Sequence, residues 1–278
     1  MISQRRAFLK LAFCATFAMS STMAHAGATL DSIMSGGVLK VATDANWAPQ
    51  SFLNDKNEMD GFDVEVAREI ATRLGVTVEF VTPAWDIITA GHWNGRWHMS
   101  VGSMTPTKSR AEVLNFPAVY YYTPATAVVH KDSAATSLSD LNGKVVGATT
   151  SSTFEFYLQK DLTIDAVDVP AFEYQITPGE IRSYKDSTAV LDDLRIGDGV
   201  RLDGGIGSLP AVLSAIENGY PLKVLGEPVF YEPLAIAIDR GDDELATKIA
   251  AIVAAMRKDG TLSTLSTKWY GVDYSSTN

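Results

Sequence analysis

The sequence predicts an α/β protein of two lobes, each built on a mostly parallel β-sheet that is flanked by helices. Short apolar runs, typical of buried parallel strands, alternate along the chain with amphipathic helical segments. Strand, helix and strand in this order form βαβ units, which indicate parallel sheets. Because the same order starts a second time after residues 120–124, the chain is expected to form two such lobes.

The first part of the chain gives the clearest pattern. Residues 38–43 are a predicted strand, and the helical segment after it carries one apolar face: Phe62, Val66, Ile70 and Leu74. Gly75 is a suitable C-terminal stop for this helix. Residues 76–81 form the next strand and complete a βαβ unit. Trp85 opens another helix, and residues 98–101 form a further strand.

In the second part, apolar runs predict five strands: residues 127–129, 144–148, 201–206, 222–225 and 234–238. Helical patterns cover residues 154–160, 191–196, 209–218 and 245–256, and a last short helix ends near residue 271. Residues 163–180, which contain Pro170 and Pro178, have no predicted element and form an excursion from the pattern.

A candidate anion site follows the strand that ends at residue 101. Thr107 is a plausible N-cap of a helix that continues to Leu114, so Arg110 falls in the first helical turn. The helix dipole disfavours a cation there, whereas an arginine beside the hydroxyls of Ser103 and Thr105 can bind an anion through two parallel hydrogen bonds. The alternative is a surface arginine that is paired with a neighbouring acid, either Glu112 or Asp86.

Residues 1–26 resemble an export signal and are not expected to belong to the fold. Arg5-Arg6 precedes an apolar run over residues 11–19, and Ala24-His25-Ala26 is a small-x-small cleavage site before Gly27. The twin arginine is typical of the twin-arginine pathway, although the general secretory pathway remains open. The run is too short to span a bilayer, and the alternative is an N-terminal anchor helix. We expect a periplasmic mature protein without cysteine.

Composition excludes several classes of function. The formal net charge is −10, and it becomes more negative when the basic residues of the signal are removed, so nucleic acid is not an expected partner. His92 and His98 are too few for a metal site. Gly205-Ile206-Gly207 lacks the third glycine of a dinucleotide loop, and no nucleophile elbow is present. No cofactor is expected.

The segment Gly61–Ala67 resembles the signature of the family 3 extracellular solute-binding proteins, which are periplasmic receptors that feed polar amino acids to ABC importers. Four further segments are similar to that family: residues 44–49, 85–86, 103–110 and 259–271. The resemblance covers essentially the whole mature chain. It implies a type II periplasmic-binding-protein fold, an inner-membrane ABC permease as partner, and a monomer.

The resemblance also implies how the lobes are divided. The first lobe would contain residues 27–122 and 235–278, and the second lobe residues 123–234. The chain would cross between them twice, near residues 121–124 and 230–234, and these two crossover strands would act as the hinge.

Binding roles follow from the resemblance where residues match. Arg110, Thr105 and the backbone of Ser103 would hold a ligand carboxylate, and Ser152 and Thr153 would close on it from the second lobe. Two further aromatic positions, Trp47 and Trp85, match the pair that sandwiches the ligand side chain, with ordinary core packing as the alternative. Asp44 matches an acid that meets a basic side chain in some members.

One position departs from the family pattern. Members that bind L-amino acids usually carry an aspartate for the α-ammonium at the position of Ser208. Because a hydroxyl cannot neutralise a buried ammonium, either another acid does so or the ligand is not a standard α-amino acid.

Two functions remain open at this point. One is a non-catalytic receptor, and the other is a cleft enzyme such as a cyclohexadienyl dehydratase-like lyase. An enzyme of this kind needs a cleft acid with a raised pKa. Because no carboxylate other than Asp44 occupies a matched position, we expect a receptor and not an enzyme.

Overall fold

The computed structural model of the protein describes residues 27–167 and 169–276. The predicted export signal, residues 1–26, lies outside this part of the chain. Among the described residues, none of the helices has both the length and the apolar character that crossing a membrane would require.

The first ten elements cover the chain up to residue 111 and include the candidate anion site. The helices are α1 (Ala28–Gly36), α2 (Phe62–Leu74), α3 (Trp85–Thr89) and α4 (Lys108–Ala111). The strands are β1 (Val38–Ala42), β2 (Asn46–Trp47), β3 (Ser51–Leu53), β4 (Met59–Asp60), β5 (Thr77–Val81) and β6 (Met99–Met104).

The remaining strands are β7 (Leu114–His130), β8 (Val145–Thr149), β9 (Glu180–Tyr184), β10 (Gly204–Ser208) and β11 (Leu222–Asp239). The remaining helices are a 3₁₀ turn (Leu138–Leu141), α5 (Thr153–Gln159), α6 (Ser187–Leu194), α7 (Leu209–Glu217), α8 (Asp243–Lys258) and α9 (Thr261–Tyr270).

Within the described residues, eight strands are hydrogen-bonded in the order β5-β1-β6-β11-β7-β10-β8-β9. The three strands at one end are parallel to each other, and so are the three at the other end. The long strands β7 and β11 lie between them and pair antiparallel with each other and with their outer neighbours. The prediction of an α/β fold with a mostly parallel sheet and flanking helices is confirmed.

The two long strands correct the sequence prediction. Residues 127–129 were predicted as a short strand, but they belong to β7, which has 17 residues. Residues 222–225 and 234–238 were predicted as two strands, but they are the ends of β11, which has 18 residues. Prolines interrupt the apolar patterns of both strands, and β11 accommodates this interruption by register shifts, one of them between Leu225 and Phe230.

Three smaller differences affect the surroundings of the cleft. Helix α4 ends at Ala111, three residues before the predicted end, because Leu114 begins β7 and packs among buried aromatic residues. Strand β9 begins at Glu180, the last residue of the predicted excursion, and is an edge strand that is parallel to β8. Strands β2, β3 and β4 form a small antiparallel sheet that the sequence patterns did not indicate.

The buried apolar side chains form two separate pairs of clusters. One pair contains only residues from 33–121 and 234–262, and the other contains only residues from 125–230. We call residues 27–121 and 234–276 the terminal half, and residues 125–230 the middle half. Strands β7 and β11 connect the two halves. The predicted lobe boundaries at 122/123 and 234/235 stay a prediction.

Helix α2 begins and ends at glycines, and the two differ in how much space surrounds them. Gly75 is left-handed, as predicted for a C-terminal stop, and a Cβ there would meet no atom within 4 Å. Gly61, before the first turn, has a φ of 121° and a ψ of 174°, a conformation that only glycine adopts readily. A Cβ on Gly61 would lie 2.7 Å from the carbonyl carbon of Gln50.

We expect Gly61→Ala to lower the free energy of unfolding by at least about 3 kcal/mol, because backbone strain adds to a collision with backbone atoms. Gly75→Ala is the matched control and should cost only about 1–2 kcal/mol, which is the penalty of the left-handed conformation alone. Urea denaturation of both variants measures the difference. Equal costs would contradict the importance of the close approach at Gly61.

Candidate functional site

A cavity with an empty volume of about 410 Å³ lies between the two halves. Eight of the nine predicted site residues line it: Asp44, Trp47, Trp85, Ser103, Thr105, Arg110, Ser152 and Thr153. Four lining residues were not predicted: Thr149, Phe154, Ser187 and Glu232. Most of the lining follows the carboxyl ends of β1, β6 and β8, where open α/β sheets place their ligands.

Arg110 is held at the inner wall of the cavity. Thr107 caps α4 as predicted, and its hydroxyl accepts the backbone N–H of Arg110 at 3.3 Å. The guanidinium donates from Nη1 to the Thr105 carbonyl at 2.8 Å and from Nη2 to the Ser151 carbonyl at 2.7 Å. Its Nε is buried and has no hydrogen-bond partner among the described residues.

The charge of Arg110 is not balanced by a direct ion pair. Only 4% of the residue is exposed, and this burial lowers the pKa of the guanidinium to about 10, so that it stays protonated at neutral pH. Within the described residues, no carboxylate oxygen lies within 4 Å of it. The predicted alternative of a surface ion pair is therefore not the arrangement found here. A buried cation without a partner is costly, and an anion in the cavity would offset that cost.

The two tryptophans at the cavity are partly exposed rather than fully buried. The Trp85 ring lies under the Arg110 guanidinium, with 5.4 Å from the guanidinium carbon to the ring centroid. The side of Trp85 also packs against the core of the terminal half. Trp47, on strand β2, faces the cavity from the small sheet. Both rings can contact an apolar stem or a cationic group.

Asp44 is the first acid of the cavity. Its Oδ1 accepts the backbone N–H of Asn46 at 2.8 Å. Burial raises the pKa of its carboxyl, and the negative charge of Asp186 raises it further. The described residues contain no group of three His, Cys, Asp or Glu side chains that could hold a metal ion.

Glu232 is the second acid, and no sequence pattern predicts it as a site residue. It lies on β11 between the two halves and is only 3% exposed. Its Oε1 accepts a hydrogen bond from Thr105 Oγ1 at 2.7 Å and another from the hydroxyl of Thr153. Burial raises the pKa of the Glu232 carboxyl. An acid in the otherwise apolar run 229–238 is the available signal, but the predicted strands cover residues 222–225 and 234–238, so Glu232 falls between them.

Ser208 does not line the cavity. It ends β10 and is buried, and its Oγ accepts a hydrogen bond from Gln50 Nε2 at 3.1 Å. The hydroxyl thus connects the middle half to the terminal half. Its role toward a ligand stays a prediction.

Several further hydrogen bonds join the two halves. Thr188 Oγ1 donates to the Asn46 carbonyl at 2.7 Å, near the rim of the cavity. The predicted excursion takes part as well, because Lys108 N donates to the Thr163 carbonyl at 3.0 Å and Asp165 N donates to the Pro106 carbonyl at 2.9 Å. This backbone bridge lies beside the start of α4, which carries Arg110.

Ser103 is held by a buried network of hydrogen bonds with Tyr120 and Asp63. Ser103 has a positive φ of 52°, and its backbone N–H donates to the Tyr120 hydroxyl at 2.9 Å. Asp63, from the segment that resembles the family signature, accepts the Ser103 hydroxyl at 2.7 Å and the Tyr120 hydroxyl at 2.6 Å. Complete burial raises the pKa of Asp63 to about 7, although these two hydrogen bonds act in the opposite direction. The network fixes the backbone that leads to Thr105.

Two α/β halves that are joined by two long strands and meet at a polar cavity define a class of protein. This is the architecture of the type II periplasmic binding proteins, as the similarity to solved structures of that class confirms. The chain belongs to the bacterial extracellular solute-binding proteins of family 3, because the model of that family matches residues 39–272. The resemblance read from the sequence is therefore confirmed.

Relatives of known name are amino-acid-binding proteins. The chain is 29% identical to the L-cystine-binding protein TcyJ of Escherichia coli K12 over 247 residues, which are 88% of this chain and 86% of the relative. It is 29% identical to the structure of an ancestral arginine-binding protein bound to arginine, with a TM-score of 0.73 over 84% of this chain and 99% of that one.

A third similar protein links the fold to an enzyme. It is the ancestral amino-acid-binding protein AncCDT-1, described as a precursor of cyclohexadienyl dehydratase. Its structure is 29% identical in sequence, with a TM-score of 0.75 over 87% of this chain and 99% of that one.

The buried Asp63 predicts a pH dependence of stability. A carboxyl whose pKa is higher in the folded state than in the unfolded state stabilises the fold when it is protonated. Stability is therefore expected to fall as the pH rises from about 4 to about 7, by a contribution of the order of 4 kcal/mol. Asp63→Asn should remove this contribution from the pH profile of the unfolding free energy.

The control for this experiment is Asp55→Asn, which changes an exposed carboxyl. Its pH profile should parallel that of the wild type. If Asp63→Asn also parallels the wild type between pH 4 and pH 7, the carboxyl is not the group that titrates on folding.

Proposed function

We propose that the protein is a periplasmic solute-binding protein that delivers a small carboxylate-bearing ligand to an ABC importer by hinge closure. We propose an amino acid or an amino-acid derivative as that ligand. The observation that carries the proposal is the buried guanidinium of Arg110, which faces the cavity without a carboxylate partner.

A ligand carboxylate is the anion that suits this position. The two oxygens of a carboxylate match the planar fork of an arginine, and charge-assisted hydrogen bonds of this kind are strong in a desolvated site. Arg110 currently donates to two backbone carbonyls, which carry no net charge. An incoming carboxylate would replace neutral acceptors with a charged one. The names of the cystine-binding and arginine-binding relatives support an amino-acid ligand.

The remaining lining residues fit the rest of such a ligand. Trp47 and Trp85 would contact its side chain, and Asp44 would meet a basic group on that side chain. Ser152 and Thr153, at the start of α5, would approach the ligand carboxylate from the second lobe, opposite Ser103.

Hinge closure follows from the way the two halves are connected. Two strands cross between them, and register shifts in β11 fall at residues 225–238, where regular pairing is interrupted. Bending at these positions would separate the lobes, residues 27–122 with 235–278 and residues 123–234, without disturbing either core. Domain closure around a ligand by a few hinge residues is a common switching mechanism.

The location and the partner complete the proposal. The segment 1–26 would direct export to the periplasm, and the mature chain would begin at Gly27. A monomer in its closed form would then dock on an inner-membrane ABC permease, which takes up the released ligand.

Replacement of Arg110 tests the proposal directly. Removing one member of a buried charged pair costs about 2–5 kcal/mol. Because about 1.4 kcal/mol corresponds to a tenfold change, Arg110→Ala should weaken binding at least about thirtyfold. Arg110→Lys should recover only part of the loss, since an ammonium cannot make the two-pronged contact. Calorimetry with the carboxylate compound that co-purifies with the protein, identified by mass spectrometry, measures these effects.

Arg240→Ala is the matched control for this series. Arg240 is exposed and donates to the carbonyls of Ala111 and Glu112, next to the same segment but outside the cavity. We expect it to bind as the wild type does. The unliganded Arg110→Ala protein should keep a near-normal melting temperature. Normal binding by Arg110→Ala, or loss of its fold, would contradict the proposal.

Glu232 supports a second candidate function, an acid-catalysed lyase of the cyclohexadienyl dehydratase type. The expectation of a receptor rested on the absence of a second cleft acid, and Glu232 is such an acid, with a pKa raised by burial. A protonated Glu232 could donate a proton to a leaving group. The similarity to AncCDT-1 is compatible with this candidate but does not favour it over the receptor.

Incubation of the co-purified compound with fresh protein separates the two functions. A receptor returns the compound unchanged, which is the result we expect. A dehydratase of this type expels the ring hydroxyl as water and a carboxylate as carbon dioxide, so its product is lighter by both, and its rate should rise as the pH is lowered toward the pKa of the acid. Mass spectrometry of the supernatant over time distinguishes these outcomes.

A further inference from the structure

The charges at the cavity are arranged as an adjacent cation and anion. Arg110 supplies the cation, and Glu232 supplies a carboxylate on the strand that crosses between the halves. Thr105 touches both, because its carbonyl accepts from Arg110 Nη1 at 2.8 Å and its hydroxyl donates to Glu232 Oε1 at 2.7 Å. Two opposite charges are therefore held on either side of a single residue.

Glu232 has the hydrogen-bonding capacity to accept a further donor. Its Oε1 accepts two hydroxyl hydrogens, one from the terminal half and one from the middle half. Its Oε2 accepts no hydrogen bond from any residue in the described part of the chain, although the side chain lines the cavity. An acceptor-only group that is buried in this way is best satisfied by a charged donor.

Ser208 is poorly suited to that task. Its hydroxyl already accepts from Gln50, and the side chain lies outside the cavity. It carries no charge that could offset a buried ammonium. The acid that a ligand ammonium requires must therefore come from another element of the cleft.

We propose that Glu232 binds the α-ammonium group of the ligand and thereby selects a zwitterionic α-amino acid. This inference rests on the proposed function, in which Arg110 binds the ligand carboxylate. The carboxylate and the ammonium of an α-amino acid are attached to one carbon atom, so their two receptors must lie side by side. The shared contact with Thr105 places Arg110 and Glu232 in that relation.

The position of Glu232 also ties ligand recognition to closure. Oε1 is held by Thr105 from one half and by Thr153 from the other. The carboxylate is oriented only when both hydroxyls are in reach, which requires the two halves to be close together. The ammonium site is thus complete only in the closed form, and a simple carboxylate would gain nothing from it.

The test compares each amino acid with its des-amino analogue, in which hydrogen replaces the α-ammonium. The mature protein is screened by thermal shift against the standard L-amino acids and L-cystine, and each binder and its analogue are then measured by calorimetry. For L-arginine the analogue is δ-guanidinovaleric acid, and for L-cystine it is dithiodipropionic acid. We expect the wild type to prefer the amino acid at least about thirtyfold, which corresponds to about 2 kcal/mol.

Glu232→Gln keeps the size of the side chain and an acceptor for the two hydroxyls, but it removes the charge. It should reduce the preference for the amino acid to within about threefold. Glu227→Gln is the matched control, because it removes an exposed carboxylate from the same strand, and its preference should equal that of the wild type. The melting temperatures of both variants report whether the fold is intact.

Three results would overturn the inference. The wild type could bind the des-amino analogues as well as the amino acids, or bind no amino acid at all. Glu232→Gln could retain the full preference. Finally, Asp44→Asn rather than Glu232→Gln could abolish it, which would assign the ammonium to Asp44. In each case the response to Arg110→Ala reports separately on the proposed function, since it depends on the carboxylate alone.

Discussion

The burial of one positive charge is the constraint on which the cleft depends. The guanidinium of Arg110 lies almost out of contact with solvent, and its hydrogen bonds go to neutral carbonyls. The free-energy cost of this arrangement has to be met by the rest of the fold. Thr107 fixes the first turn of α4, and the Trp85 ring covers one face of the guanidinium. Glu232, in the same cavity, partly offsets the desolvation through its charge. The positions of Thr107, Trp85 and Glu232 around the guanidinium are all explained by the need to bury this cation.

A second buried ionisable group, the Asp63 carboxyl, supports the segment that carries Ser103 and Thr105. Asp63 is placed at the start of α2 by the close approach of Gly61 to Gln50, where no side chain can be accommodated. From there it accepts hydrogen bonds from Ser103 and Tyr120, so that helix, strand β6 and strand β7 meet at one carboxyl. The family signature at Gly61–Ala67 therefore has a physical meaning in this chain. It anchors the polypeptide that presents Ser103 and Thr105 to the cavity.

How much could be predicted from the sequence depends on whether the signal was local. The apolar face of α2, its glycine stop, the Thr107 cap and the position of Arg110 are all encoded within a few residues, and the structure agrees with each. The sequence predicts only residues 127–129 of β7 and two separate pieces of β11, because prolines interrupt the apolar patterns and the long antiparallel pairing of these strands depends on tertiary structure. Glu232 was missed for the same reason. Its position in the cleft depends on which face of strand β11 turns inward. Because residue 232 lies between the two predicted strand segments, the alternation of side chains could not be extended to it.

The backbone bridge between residues 106–108 and 163–165 has a thermodynamic consequence for a receptor that closes on its ligand. Both hydrogen bonds of this bridge join backbone atoms of the two halves, so a hinge motion that separates the halves must break them. In a receptor that works by the proposed hinge closure, they would favour the closed conformer, and the apparent dissociation constant equals the intrinsic one divided by the population of the competent conformer. Under that proposal, residues in the excursion would change the affinity for every ligand by the same factor. Selectivity, which is a ratio of affinities, is left to the side chains of the cavity, so the two properties can be tuned at separate places in the chain.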